Sequence, residues 1–350
     1  MKKVLFYISG HGLGHAAPMT EVVNQITAKA GDVLPIIKTS APEWLFQQRI
    51  KTNFEYVQCE CDVGAVQKDW RSVDRLETFK QYSQFIENEP AFIREQLDFI
   101  KQNNVGVIVA DIPPVAFVVA KQAGVPSFGI TNFSWDWIYE PYLAEFGQYK
   151  FVVDHIRQCY SQADILLRMP FYGDLSVFGV IEDIPLIAKY SQAEPEQTIA
   201  NLDIEPGKKL ILVYLGNFDH SRVLSDKMLS RNDYFFMTPQ TYRKCKLPFA
   251  DLLKAADAVV TKPGYGIVSE CIANQTPIAY TARDDFQEYY ALVKGIKKYA
   301  HNCFISQQDL FDGRLDEHLD QLFADEFDWP QIATNGAEIA ATKILKAISG

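Results

Sequence analysis

Short runs of consecutive apolar residues alternate with longer stretches of helical apolar spacing in the first half of the chain. Residues 4–8, 33–37, 105–110, 127–131 and 165–167 have strand length and little polar alternation, the pattern of strands buried on both faces. Residues 18–30, 76–102 and 115–123 predict helices; in the second of these Phe79, Tyr82, Phe85 and Ile86 recur at helical spacing. The alternation predicts a parallel α/β sheet. After Pro170 the texture changes, and residues 177–209 carry three prolines among many polar residues. A second α/β series starts at 209–218 and continues through 234–238, 256–262 and 276–282. An Ala-rich helical pattern runs from about Ala337. The expectation is two Rossmann-like parallel-sheet domains, 1–180 and 181–330, facing a cleft. A C-terminal helix within 331–350 would be able to cross back to the first domain. Open parallel sheets bind ligands at the carboxyl ends of their strands.

Composition narrows the partners. The 350 residues are 48% hydrophobic, and 34 Lys and Arg stand against 44 acids, a net charge of −10. A nucleic-acid or anionic-membrane binder needs a basic footprint, so neither partner is expected. No stretch reaches the roughly 18 apolar residues of a membrane span. The start, MKKVLFYISGHG, has too short an apolar run for a signal peptide and reads as a first strand. Six cysteines are scattered. Cys59 and Cys61 form a C-x-C without a second pair at metal-site spacing. Free thiols in a cytoplasmic protein, with no metal and no cofactor, are the expectation.

Candidate chemistry begins in YISGHGLGHAAPM, residues 7–19. Gly12 and Gly14 permit close backbone approach to a ligand, and the helix that follows offers N–H groups and a positive dipole end. Three readings compete for His15: a metal ligand paired with His11, a structural imidazole, or a general base. HxxxH is a zinc signature mainly inside a helix, and glycines here favour a loop. A base needs a carboxylate to fix its tautomer. Asp111, ending the run 105–110, could face the same crevice, or it could cap the helix that follows. His11 has no assignable role, and His155, His301 and His318 sit in ordinary polar contexts.

The stretch GHAAPM, residues 14–19, resembles the G-H-x-x-P-M segment of UDP-dependent glycosyltransferases of the GT-B fold. The first loop also resembles that of the MurG-like enzymes. Residues 107–131 resemble the segment of those enzymes in which a strand ends in an Asp. The resemblance implies His15 as the base for an acceptor hydroxyl and Asp111 as its support. Residues 261–280, TKPGYGIVSECIANQTPIAY, fall in register with the family's donor block. The resemblance implies that Lys262, Gly264, Tyr265 and Gly266 face a diphosphate, that Glu270 takes ribose hydroxyls, and that Asp285 and Gln287 hold the donor sugar. It also turns Gly216 and Asn217, at the end of the strand opening the second series, toward the donor phosphates. The motifs SGHGLGHA, TNFSWDWIY, VIEDIPLIAK and KPGYGIVSE are similar to the glycosyltransferase-like N-terminal region of plant L-arabinokinases. No kinase phosphate motif is present, so a stand-alone form of that module is expected.

The implied activity is metal-independent, inverting hexosyl transfer from a nucleotide sugar, UDP-linked by the resemblance, to an acceptor hydroxyl. Where the plant proteins have a His, an Asn and a Ser on the phosphates, this chain has Lys262, Gly266 and Ile267. Two further readings therefore stand beside the first: a nucleotide-sugar hydrolase, and a nucleotide-sugar-binding regulatory module without turnover. The aromatic stretch 131–146 reads either as core packing or as a wall for a sugar acceptor, with Asn132, Trp135 and Asp136 as acceptor-binding candidates. The acceptor and the oligomeric state have no readable code.

Overall fold

The computed structural model describes residues 2–12, 14–68, 72–215, 224, 233–283 and 286–349. The chain forms two compact units. The first comprises Met1–Ile187, Phe286–Glu288 and Ala333–Gly350; the second comprises Ala188–Asp285 and Tyr289–Ile332.

The sheet of the first unit contains β1 (Lys2–Ile8), β2 (Val33–Thr39), β3 (Glu55–Gln58), β4 (Val105–Asp111), β5 (Ser127–Thr131), β6 (Ile165–Arg168) and β7 (Ile181–Asp183). Their order is β3-β2-β1-β4-β5-β6-β7, and every pairing is parallel. The five apolar runs of the first half become β1, β2, β4, β5 and β6. The pattern missed β3 and β7. Both are edge strands, paired on one side only and half-exposed, so neither needs a continuous apolar run. Ile181–Asp183, within the proline-bearing polar stretch 177–209, is the β7 edge of this sheet.

Helices α1 (Ala16–Lys29), α2 (Arg75–Asn103), α3 (Val115–Ala123) and α4 (Lys150–Tyr160) belong to the same unit. Asp74 caps α2 by accepting the Glu77 N–H at 3.0 Å, and Asn104, in the left-handed region at φ 51°, ends it. The core is built around β1 and β4. Val4, Leu5, Phe6, Tyr7, Ile8, Val107, Ile108, Val109 and Ala110 are all fully buried.

In the second unit β8 (Lys209–Tyr214), β9 (Tyr234–Met237), β10 (Ala258–Thr261), β11 (Ile278–Thr281) and β12 (Asn302–Ile305) form a parallel sheet. Its order is β12-β11-β10-β8-β9. Strand β12 was not expected; it too is a half-exposed edge. Helix α5 (Tyr265–Asn274) follows β10, and α6 (Glu288–Tyr299) follows β11. The fold is therefore α/β with two parallel sheets. No described helix is long and apolar enough to cross a membrane. All six cysteines are free thiols.

The C-terminal helix α7 (Gly336–Ser349) lies in the first unit and packs on α1. Ala340, Ala341 and Ile344 are fully buried there, and Lys29 meets Glu338 at 3.1 Å. Gly106 of β4 makes room for this helix, since a Cβ at that position would stand 2.8 Å from Ile348 Cγ1. Burial of the whole Ile344 side chain sets the expected cost of truncating it. Ile344→Ala should destabilise the first unit by about 2–5 kcal/mol, read from the midpoint of denaturant unfolding. A loss under about 0.5 kcal/mol, the range of surface changes, would mean that α7 does not seal this core.

Candidate active site

Strand order in the first sheet reverses between β1 and β4, and in doubly wound sheets ligands bind beside such a reversal, at the carboxyl ends of the strands. Ile8 pairs with Asp111 across it. The Ser9 N–H donates to the Asp111 carbonyl at 2.7 Å. The loop from Ser9 therefore leaves the sheet beside the Asp111 side chain and returns at His15, immediately before α1.

His15 Nδ1 lies 3.1 Å from Asp111 Oδ1. The two side chains are 10% and 2% exposed. An ionised carboxylate only accepts, so Nδ1 carries the proton and the lone pair is left on Nε2. Helix α3 starts at Val115 with Pro114 in the cap position and no side-chain cap, so Asp111 is not spent on capping. Burial by itself lowers the His15 pKa, but the charge and hydrogen bond of Asp111, with Glu288 and Asp62 behind them, raise it above the ordinary value.

Two of these carboxylates were not expected from the sequence. Asp62 follows β3 and accepts from Trp135 Nε1 at 3.0 Å. Burial pushes its carboxyl up, against hydrogen bonds from Ser9 and Trp135 and the charge of His15. Its signal was hidden because β3 itself has no apolar run. Glu288 accepts from Asn132 Nδ2 at 3.0 Å and stands one position after Gln287.

His11 is an anchor. Its Nδ1 accepts the Ala65 N–H at 3.2 Å, and its ring stacks on Phe286 and meets Trp135 edge-on. Tyr139 donates to the Gly64 carbonyl, so the loop after β3 is pinned at Asp62, Gly64 and Ala65. Gly64 has φ +65°, and a Cβ there would stand 2.6 Å from the His11 Cβ.

Of the acceptor candidates, Trp135 is fully buried and stacks on Tyr139, so its ring supports the loop from behind. Asp136 is also buried and accepts from Arg157 Nε at 3.2 Å. Asn132 is turned to Glu288. Gln287, a donor-sugar candidate, donates its amide to the Trp137 carbonyl. Gly12, at φ +72°, and Gly14 lie in the loop before His15, and a Cβ at either would meet nothing within 4 Å.

The donor candidates of the second unit gather at the end of β10. Gly264 is the N-cap of α5, extended at φ −147°, with open space where a Cβ would sit. The first helical bond runs from the Val268 N–H to the Gly264 carbonyl at 3.1 Å. The N–H groups of Gly266 and Ile267 therefore precede the helical ladder. No acid stands in this first turn, which leaves the dipole end favourable to an anion. Tyr265 and Gly266 are buried in that turn. Lys262 is half-buried just before it, and Glu270 is buried in the second turn. Gly216, Asn217 and Asp285 lie outside the described residues.

No protein-family model matches the chain. The fold is the two-sheet GT-B fold seen in solved glycosyltransferases. The chain matches a UDP-glucosyltransferase from Polygonum tinctorium capable of glucosylating indoxyl with a TM-score of 0.59 at 13% identity, over 100% of this chain and 99% of that one. It matches the glycotransferase of kitacinnamycin with a TM-score of 0.62 at 13% identity, over 99% and 94%. In sequence it is 28% identical to the L-arabinokinase of Arabidopsis thaliana over 349 residues, 96% of this chain and 33% of the relative. The chain thus spans about a third of the length of that curated relative.

The loop geometry makes Gly64→Ala doubly unfavourable: an L residue in the left-handed region costs about 1–2 kcal/mol, before the contact with His11 is relieved. Thermal unfolding should show a loss of at least that size. The His15 environment is tested by imidazole titration in NMR. In Asp111→Asn, burial remains while the main raising charge is gone, so the His15 pKa should fall below its wild-type value. An unchanged titration would detach Asp111 from His15.

Proposed function

We propose that the chain is an inverting, metal-independent glycosyltransferase of the hexosyl-transfer type. It moves a sugar from a nucleotide sugar, UDP-linked in our reading, to an acceptor hydroxyl. The observation that carries the reading is the His15–Asp111 hydrogen bond at the strand reversal of the first sheet. His15 Nε2 takes the proton of the acceptor hydroxyl while Asp111 steadies the imidazolium that forms. The acceptor oxygen bonds to the anomeric carbon from the face opposite the diphosphate. The bond from that carbon to the diphosphate oxygen breaks, and its electron pair leaves on the diphosphate. The N-terminal turn of α5 and the Lys262 ammonium stabilise the departing charge, and Glu270 takes the ribose hydroxyls. The GT-B fold and the resemblance of residues 14–19 and 261–280 support this assignment.

A second reading keeps nucleotide-sugar binding and drops turnover. It is favoured by Ile267, a side chain without hydrogen-bonding atoms in the first turn of α5, where the similar plant proteins present a polar group.

Turnover separates the two. In a donor-consumption assay over a panel of nucleotide sugars and candidate acceptors, His15→Ala should lose about 10²–10⁴ in rate. Nucleotide binding, followed by thermal shift, should stay within a few-fold. Undiminished turnover in this variant would remove His15 from the mechanism, and binding without donor loss would select the second reading. Donor loss in water alone would mark a hydrolase. The pH profile carries the sign of the His15 shift. A base must be neutral to act, and its pKa is raised, so the acid limb of kcat/KM should lie above the ordinary imidazole value of about 6.5. In Asp111→Asn the limb should move to lower pH while the maximal rate falls.

A further inference from the structure

Outside the site just described, three ligand-type side chains converge in the first unit. His155 and Cys159 stand one turn apart on the same face of α4. Glu89 reaches them from α2, immediately before Pro90. His155 Nε2 lies 2.9 Å from Glu89 Oε2 and 3.5 Å from Cys159 Sγ. All three ligand atoms lie within 4.8 Å of one another. Glu89 and Cys159 are buried, and the His155 side chain keeps 24% of its surface.

The arrangement does not suit a cysteine nucleophile. A relay needs the thiol and the carboxylate on opposite ring nitrogens, and here both face the same Nε2. Burial, with the Glu89 charge added, also pushes the Cys159 thiol far above its usual range. Three ligand-type atoms within 4.8 Å of one another are instead what a metal ion uses. Tetrahedral zinc takes sulfur at ~2.3 Å and imidazole nitrogen at ~2.0–2.1 Å. Those lengths place the sulfur and nitrogen ~3.5 Å apart, and the Cys159–His155 separation already has that value. The Glu89–His155 separation would open by roughly 0.5 Å to admit the ion.

We propose that Glu89, His155 and Cys159 form a zinc site that clamps α2 to α4, with the fourth position open to water on the exposed side of His155. Thiolate with imidazole selects a borderline-soft ion such as zinc over magnesium or calcium. On binding, the Cys159 thiol releases its proton to solvent and the sulfur lone pair goes to the metal. The divalent charge then offsets both the thiolate and the Glu89 carboxylate. The proposal is independent of the transferase reading, since none of the three residues takes part in it.

The test uses the full chain, stripped with a chelator and titrated with zinc against a chromophoric competitor. One equivalent should bind, with a rise in the thermal midpoint. His155→Ala and Cys159→Ala should each lose more than the ~10–100-fold in affinity that removal of a mere outer-shell partner costs. Cys59→Ala should retain the equivalent; it removes one thiol of the Cys59–Cys61 pair, whose side chains hydrogen-bond to each other away from this cluster. Cobalt in place of zinc should give a thiolate-to-metal charge-transfer band in the wild-type chain, a readout that holds even where a variant folds poorly. Absence of a bound equivalent in the wild type would leave only a Glu–His hydrogen bond beside a spectator thiol and overturn the proposal. A zinc equivalent or a cobalt band that survives Cys159→Ala, or that disappears in Cys59→Ala, would overturn it as well.

Discussion

The pairing of Ile8 with Asp111 across the central strands of the first sheet is the constraint on which the candidate site depends. Parallel strands end side by side only when their register is fixed, and here the register is fixed by burial of nearly every residue of β1 and β4. A slip of one residue would turn each side chain to the other face. It would carry the Asp111 carboxylate away from the loop that ends in His15. The bond from the Ser9 N–H to the Asp111 carbonyl extends the pairing one step past the strand, so the loop is launched in a set direction. The dyad geometry is thus a property of the core before it is a property of the loop.

Once formed, the site concentrates negative charge around one imidazole. Asp111, Glu288 and Asp62 all act to raise the His15 pKa, and burial acts against them. The three carboxylates are not equivalent. Asp111 makes the direct bond, while Glu288 is held by Asn132 and Asp62 by Trp135. The last two therefore act on His15 through their charge and can be held at fixed distance by neutral donors. Such an environment suits an imidazole that must carry a transient positive charge, because preorganised acceptors stabilise the cation without rearranging. It also explains why Trp135, which the sequence leaves between core packing and a wall for a sugar, is buried: its indole N–H fixes a carboxylate from behind.

Most of the first sheet was legible because its central strands are buried on both faces and so read as unbroken apolar runs. The edges β3, β7 and β12 were not legible, since their short runs are broken or bounded by polar residues; the edge β9, with the unbroken run YFFM, was legible. That blindness extended to the site. Asp62 follows β3, so missing the strand meant missing the acid at its end. His15 and Asp111 were legible together because both flank central strands, where a topological rule places the ends in one crevice. Their roles stayed ambiguous because an Asp before Pro-Pro is equally good as a helix cap; only the start of α3 at Val115 separates the cases. The Glu89–His155–Cys159 cluster was invisible for another reason. Two members share a helix face, but the third is 66 residues away from His155, and no local spacing records such a contact.

The two histidines of the first loop show how little residue type decides. They lie four apart among glycines, and both rings sit among aromatic neighbours. His11 Nδ1 accepts a backbone N–H, which requires a lone pair on that nitrogen and so opposes protonation there. His15 Nδ1 faces a carboxylate, which requires a hydrogen on that nitrogen and favours a proton on the ring as a whole. The same side chain is thus set in opposite tautomers at two points of one loop. One is made a fixed strut for the loop after β3, and the other is left with a basic Nε2. The strut serves the second imidazole: by holding Ala65, His11 holds the loop that carries Asp62, and Asp62 in turn adds to the charge that raises the His15 pKa.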